Sequence, residues 1–119
     1  HMKVGQIMTE ELLRLKLITK EDCKNDDWDN TPWNEAKAYR KYLMHGTSHY
    51  LGLDVHDVGS RYRKFEAGMV FTVEPGIYIP EEGIGVRIEN DILINASGNT
   101  DLMGAIPIEV ADIEALMAK

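Results

Sequence analysis

The chain has 119 residues, 44% of them apolar and 28% charged, with a formal net charge of −7. That length supports one small domain, the acidity weighs against nucleic acid as a partner, and no apolar run approaches the ~20 residues that span a bilayer. A single cysteine, Cys23, excludes an internal disulfide framework. With no secretory pattern at the start, a soluble, cytoplasmic setting is the expectation. His1-Met2 reads as the remnant of a cleaved expression tag, and residues 3–119 as a piece cut from a longer protein.

In chain order, Val4, Ile7, Met8, Leu12 and Leu15 recur at helical spacing and predict an amphipathic helix from 4 to about 17. Thr19 followed by Asp22 resembles a second helix start. Residues 24–31 are polar and turn-rich, and Thr31-Pro32 fits an N-cap with proline in the first helical position, opening a helix to about Met44. Gly46 and Gly52 then break the pattern. Residues 69–79 and 86–94 are rich in β-branched and aromatic residues and read as strands joined by a turn at Glu81-Glu82-Gly83. Residues 95–99 read as a turn, and Pro107 as the start of a last helix with Val110, Ile113, Leu116 and Met117 on its apolar side. Helices followed by paired strands imply an α+β fold with an antiparallel sheet.

Alternate side chains of a strand share a face. Arg87, Glu89 and Asp91 therefore lie opposite Ile88, Ile92 and Ile94, and Glu74 shares a face with Thr72. A hairpin turning at Glu81-Glu82 sets Glu74 directly across from Glu89, with Cβ atoms roughly 4.5–5.5 Å apart. Two carboxylates so close repel unless a cation neutralises them. An ordinary charged strand would simply face solvent, but the apolar residues flanking Glu74 argue against free exposure. His45, His49 and His56 fall in the string HGTSHYLGLDVHD just upstream. Imidazole with carboxylate suits Mn, Fe, Co or Zn. Asp54 and Asp57 read as loop-ordering residues, Trp28 and Trp33 as packing at a helix start, and the methionines as core filler.

The strings HGTSHYLGLDVHDVG, FTVEPGIYI and GVRIEND, in that order, resemble the C-terminal half of the catalytic domain of aminopeptidase P and prolidase, the Xaa-Pro peptidases of the pita-bread (creatinase/aminopeptidase) fold. The resemblance implies a curved antiparallel sheet with flanking helices. It implies His49, Glu74 and Glu89 as metal ligands, His56 and Glu74 as catalytic groups, and His45 and Arg87 as supporting residues. It further implies two divalent cations in the parent, manganese first with Co²⁺, Zn²⁺ or Fe²⁺ as alternatives. The implied activity is hydrolysis, by a metal-activated hydroxide, of peptides with proline at the second position.

The family's two upstream aspartate ligands have no strand-borne counterpart here. Before His49 the aspartates are Asp22, Asp26, Asp27 and Asp29, all in one polar stretch. The expectation is therefore a chain that holds one cation or none, has little or no peptidase activity, and self-associates through an uncovered sheet edge and apolar face. The alternatives are an Xaa-Pro dipeptidase, a metal-free peptide-binding domain or creatinase of the same fold, and a mononuclear oxygenase using His49, His56 and one carboxylate.

Overall fold

The computed structural model describes residues 2–30, 37–60 and 62–118. It contains helix α1 (Met2–Arg14), strands β1 (Val70–Val73), β2 (Gly76–Ile79), β3 (Ile84–Arg87), β4 (Asn90–Asn95) and β5 (Gly98–Asp101), and helix α2 (Val110–Met117). Two single 3₁₀ turns lie at Ala38–Lys41 and Pro80–Glu82. The chain divides into two compact units, one of residues 1–47 and 76–86, the other of residues 48–75 and 87–119.

The first unit holds the apolar core: Leu12, Ile18, Tyr39, Tyr42 and Leu43 are buried, and Met8, Leu17, Trp28, Ile77 and Ile79 pack against them. The buried line of α1 is Gly5, Thr9 and Leu12, whereas Ile7 and Leu15, expected on the apolar side, are exposed. The cause is the aromatic ring that α1 meets. A Cβ on Gly5 would stand 2.8 Å from the Tyr39 ring, so only glycine allows this approach. Thr9 is satisfied in the interior by donating its hydroxyl hydrogen to the Gly5 carbonyl. The helix ends earlier than its apolar periodicity suggests, because Lys16 adopts a left-handed conformation (φ 60°). The Lys16 and Leu17 amides then donate to the Leu13 and Leu12 carbonyls, a Schellman closure that a glycine ordinarily provides.

Thr19 and Asp22 do form the reciprocal bonds of a helix start. The Asp22 carboxylate accepts from both the amide and the hydroxyl of Thr19, and the Asp22 amide donates back to that hydroxyl. Only turns come after it, so the expected second helix is absent from residues 20–30. The helix expected from Thr31 to Met44 is also corrected. Residues 31–36, Trp33 among them, lie outside the described residues, and the next element is a single 3₁₀ turn whose neighbours Tyr42 and Leu43 turn inward. Trp28 stacks on Tyr39 with ring centroids 5.9 Å apart, the packing role expected of it. In the same unit β2 pairs with β3, and the Tyr78 amide donates to the Tyr42 carbonyl.

The second unit is a three-stranded sheet in the order β1-β4-β5. β4 and β5 pair antiparallel through the tight turn at residues 95–98, with Asn95 opposite Gly98. The sequence predicts that turn, although not the strand after it. Phe71 is the buried apolar anchor, with the Tyr50 and Phe65 rings against it at 4.5 and 4.9 Å. The long strands expected at 69–79 and 86–94 are each interrupted, between Val73 and Gly76 and between Arg87 and Asn90. Proline at position 75 lacks the amide hydrogen that an unbroken ladder would use. Helix α2 begins three residues after Pro107, and its four large apolar residues are 44–79% exposed.

The hydrogen bonds from Thr19 hold the Asp22 carboxyl below its ordinary range. A carboxyl so lowered favours the folded state above its unfolded pKa, and that contribution is lost as pH falls through the folded value. Urea midpoints of the wild type and Thr19→Ala should therefore differ most near neutral pH and converge in acid. Parallel curves down to about pH 2 would contradict the linkage.

Candidate metal centre

Three neighbouring segments of the second unit each deliver one polar group to the same place. β1 pairs antiparallel with β4, with Thr72 opposite Asp91 and Val73 opposite Asn90. Continuing that register by one position aligns Glu74 with Glu89, just where the ladder ends. On the other edge of β1 the chain at residues 49–51 runs as an extra strand. Tyr50 bridges Phe71, the Leu51 amide donates to the Val70 carbonyl, and the Thr72 amide donates to the His49 carbonyl. His49, Glu74 and Glu89 thus approach from three neighbouring segments, the last two just beyond the ends of β1 and β4, and one ligand atom of each lies within 4.8 Å of the other two. His49 and Glu74 are partly buried, and Glu89 is exposed.

The imidazole is oriented by a main-chain acceptor. His49 Nδ1 lies 2.8 Å from the Tyr50 carbonyl oxygen, which can only accept, so Nδ1 carries the hydrogen. In the neutral ring Nε2 then bears the lone pair, and it faces Glu74 Oε1 at 3.3 Å. A lone pair set against a carboxylate, with a second carboxylate close by, is the donor set of a divalent cation. An Nδ1 bound to a carbonyl is the usual way a histidine is prepared as an Nε2 ligand. The residues fit a metal on this chemistry.

Around these three groups, the Thr72 hydroxyl accepts from the His49 amide (3.2 Å) and donates to Glu74 Oε1 (3.3 Å). Arg87 Nη1 stands 3.9 Å from Glu74 Oε2, a long ion pair on the outer side of the carboxylate. His56 meets the His49 ring edge-on, with centroids 4.3 Å apart, and is not in the ligand group. The loop that carries His56 is held by Asp57. Its carboxylate accepts from the Leu53 and Val58 amides, and its amide donates to the same Tyr50 carbonyl that His49 uses. A Cβ on Gly52 would fall 1.9 Å from Asp57 Oδ2, so glycine is what lets that carboxylate fold back over the loop. Asp54 contributes its main-chain carbonyl, which accepts from the Gly52 amide.

His45 lies in the first unit, where Nδ1 contacts the Gly46 carbonyl and Nε2 accepts from the Tyr78 hydroxyl at 2.9 Å. Of the upstream aspartates in that unit, Asp22 binds Thr19 and Asp27 binds Asn30 within turns, and Asp26 accepts from the Ala38 amide twelve residues on. The linking roles of the Tyr50 carbonyl and the Thr72 hydroxyl escape sequence reasoning. A carbonyl leaves no side-chain signal, and Thr72 shows only as a residue sharing a face with Glu74.

The model of metallopeptidase family M24 matches residues 9–96. The chain belongs to metallopeptidase family M24. Among its relatives, the Xaa-Pro aminopeptidase of Haemophilus influenzae is 48% identical over 120 aligned positions, covering 91% of this chain and 28% of that protein. The Xaa-Pro aminopeptidase of Escherichia coli is 52% identical over 92 positions, covering 67% of this chain and 21% of that protein. This M24 chain therefore spans between a fifth and a third of the length of these two curated relatives. Zinc-substituted E. coli aminopeptidase P in complex with product superposes with a TM-score of 0.77 at 41% identity, over 98% of this chain and 28% of that one. The α+β, pita-bread fold class expected from the motifs is the fold observed.

Nitrogen-15 spectra of the neutral His49 ring should report the Nδ1–H tautomer. A ring protonated on Nε2 instead would contradict this orientation of the imidazole.

Proposed function

We propose that the chain is the C-terminal half of the catalytic domain of an Xaa-Pro aminopeptidase, carrying three of the ligands of a metal centre that hydrolyses the bond between an N-terminal residue and proline. The observation that carries this reading is the convergence of His49, Glu74 and Glu89, one ligand atom of each within 4.8 Å of the others. Its support is the M24 membership together with relatives named for Xaa-Pro cleavage. Two divalent cations, manganese first, would supply Lewis acidity and an activated water there.

The chain's own residues divide the remaining work. His49 would hold a cation through the nitrogen that the Tyr50 carbonyl leaves free. Glu74, whose Oε1 faces His49 Nε2, would be a second ligand and would serve as the general base that takes a proton from water. Glu89, exposed beside Glu74, would complete the set of residues that hold the metal. His56, held beside His49 by the Asp57-ordered loop, donates a hydrogen bond to the developing oxyanion. Arg87 offsets the negative charge on Glu74 and keeps its second oxygen oriented. His45 is a supporting residue. An Xaa-Pro dipeptidase would share all of these roles, and substrate length alone separates the two. The oxygenase reading is disfavoured because His56 stands outside the ligand group.

Among the described residues the group able to hold a metal ion is His49, Glu74 and Glu89, three ligands where the parent centre would use five. Calorimetric titration of this chain with Mn²⁺ is expected to show one weak site, lost or weakened at least about tenfold in His49→Ala and unchanged in Asp57→Asn. Two tight sites per chain would overturn this. On the longer parent protein, Glu74→Gln should abolish hydrolysis of Xaa-Pro peptides while the metal content falls. Undiminished turnover would remove Glu74 from the mechanism.

The exposure of Val110, Ile113, Leu116 and Met117 along one helix, together with Leu102, Ile106 and Ile108 before it, favours self-association of the isolated chain. Light scattering should give a mass above the 13.5 kDa of one copy. A monodisperse monomer at high concentration would count against it.

A further inference from the structure

Thr72 is 1% exposed and is among the most completely buried side chains of the described residues. A hydroxyl is an expensive group to bury without partners, and this one has two. It accepts the His49 amide hydrogen at 3.2 Å and gives its single hydrogen to Glu74 Oε1 at 3.3 Å. The Thr72 amide meanwhile donates to the His49 carbonyl at 3.0 Å. Main chain and side chain of one residue therefore grip both polar groups of the His49 backbone. The same side chain also orients the carboxylate oxygen that faces the His49 ring nitrogen. One hydroxyl thus joins the backbone of the imidazole ligand to the carboxylate ligand beside it.

We propose that Thr72 is a positioning residue for the metal centre, fixing the distance between His49 and Glu74 through its hydroxyl; the inference rests on the reading of His49 and Glu74 as metal ligands. The direction of its bonds matters. The His49 amide can only donate and the Glu74 carboxylate oxygen accepts, so the hydroxyl takes the one bond and gives its hydrogen to the other. The carboxylate is thus supplied with a donor on the oxygen nearest the ring, and the imidazole is held at the height of that oxygen. Valine has nearly the same shape and neither function, leaving the His49 amide without an acceptor and the carboxylate free to rotate. Serine keeps both bonds and loses one methyl group.

The test compares Thr72→Val and Thr72→Ser in this chain, with Mn²⁺ as the probe. Losing a partner that orients a ligand typically weakens metal affinity about 10–100-fold. That loss is expected in Thr72→Val, with binding in Thr72→Ser within about threefold of the unsubstituted chain. Equal losses in the two variants would mean that packing, not the hydroxyl, holds the site, and an unaltered Thr72→Val would overturn the proposal outright.

Hydrogen exchange of the His49 amide supplies a second reading that needs no metal. It should be slow in the unsubstituted chain and in Thr72→Ser, and fast in Thr72→Val, with the Thr72 amide unaffected. If Thr72→Val fails to fold, the unsubstituted chain and the serine variant decide. A His49 amide exchanging as fast as that of exposed Ser48 in either one contradicts the proposal. Failure of the unsubstituted chain to take up Mn²⁺ would instead count against the metal reading, and the exchange data would still judge the role of Thr72.

Discussion

Everything at the centre depends on the antiparallel register of β1 against β4. One register brings Val73 to Asn90 and, at the next step, two acidic side chains to the same place. A slip of one residue would send every side chain of β1 to the opposite face of the sheet. Such a slip is prevented on both sides. On one, Phe71 is fixed by burial and by the Tyr50 and Phe65 rings. On the other, β4 is fixed in turn by its tight connection to β5. A small aromatic cluster thus holds in place a charge arrangement that would be unfavourable by itself.

The interruptions in the strands serve the same arrangement. The β1–β4 ladder ends at the Val73–Asn90 pair, so Glu74 and Glu89 stand beyond the last paired residues and not within a regular sheet. Their side chains need not follow the strict alternation of a strand and can turn toward the His49 ring. On the far edge, the extra strand at residues 49–51 lacks the length to be stable alone. It is secured by main-chain bonds to Val70 and Thr72 and by the dual use of the Tyr50 carbonyl, which accepts from both His49 and Asp57.

Much of this was legible in the sequence, and the parts that were not have physical causes. The pairing of Glu74 with Glu89 follows from counting outward from a turn at Glu81-Glu82, because antiparallel pairing conserves the sum of the partners' numbers. The histidine string and the three motifs carried the family. By contrast, the interior face of α1 could not be read from its apolar periodicity. The chain placed Gly5 and Thr9 inward to admit the Tyr39 ring, and no hydrophobicity pattern encodes a close approach between a helix backbone and an aromatic ring. Thr19 and Asp22 show the converse. The local bonds of a helix start formed, yet residues 20–30 hold only turns, because a cap without an apolar face to bury does not stabilise a helix. Strand β5 (GNTD) is short and entirely exposed, and its residue types favour turns over strands.

The three groups of the centre come from positions 49, 74 and 89, on segments that have no covalent reason to stay together. An ion gripping all of them would therefore act as a non-covalent crosslink between three strands of the sheet. Its concentration would become a variable of conformational stability, adding RT ln(1 + [ion]/Kd) to the free energy of unfolding. Chelators would then be felt as strand-loosening agents.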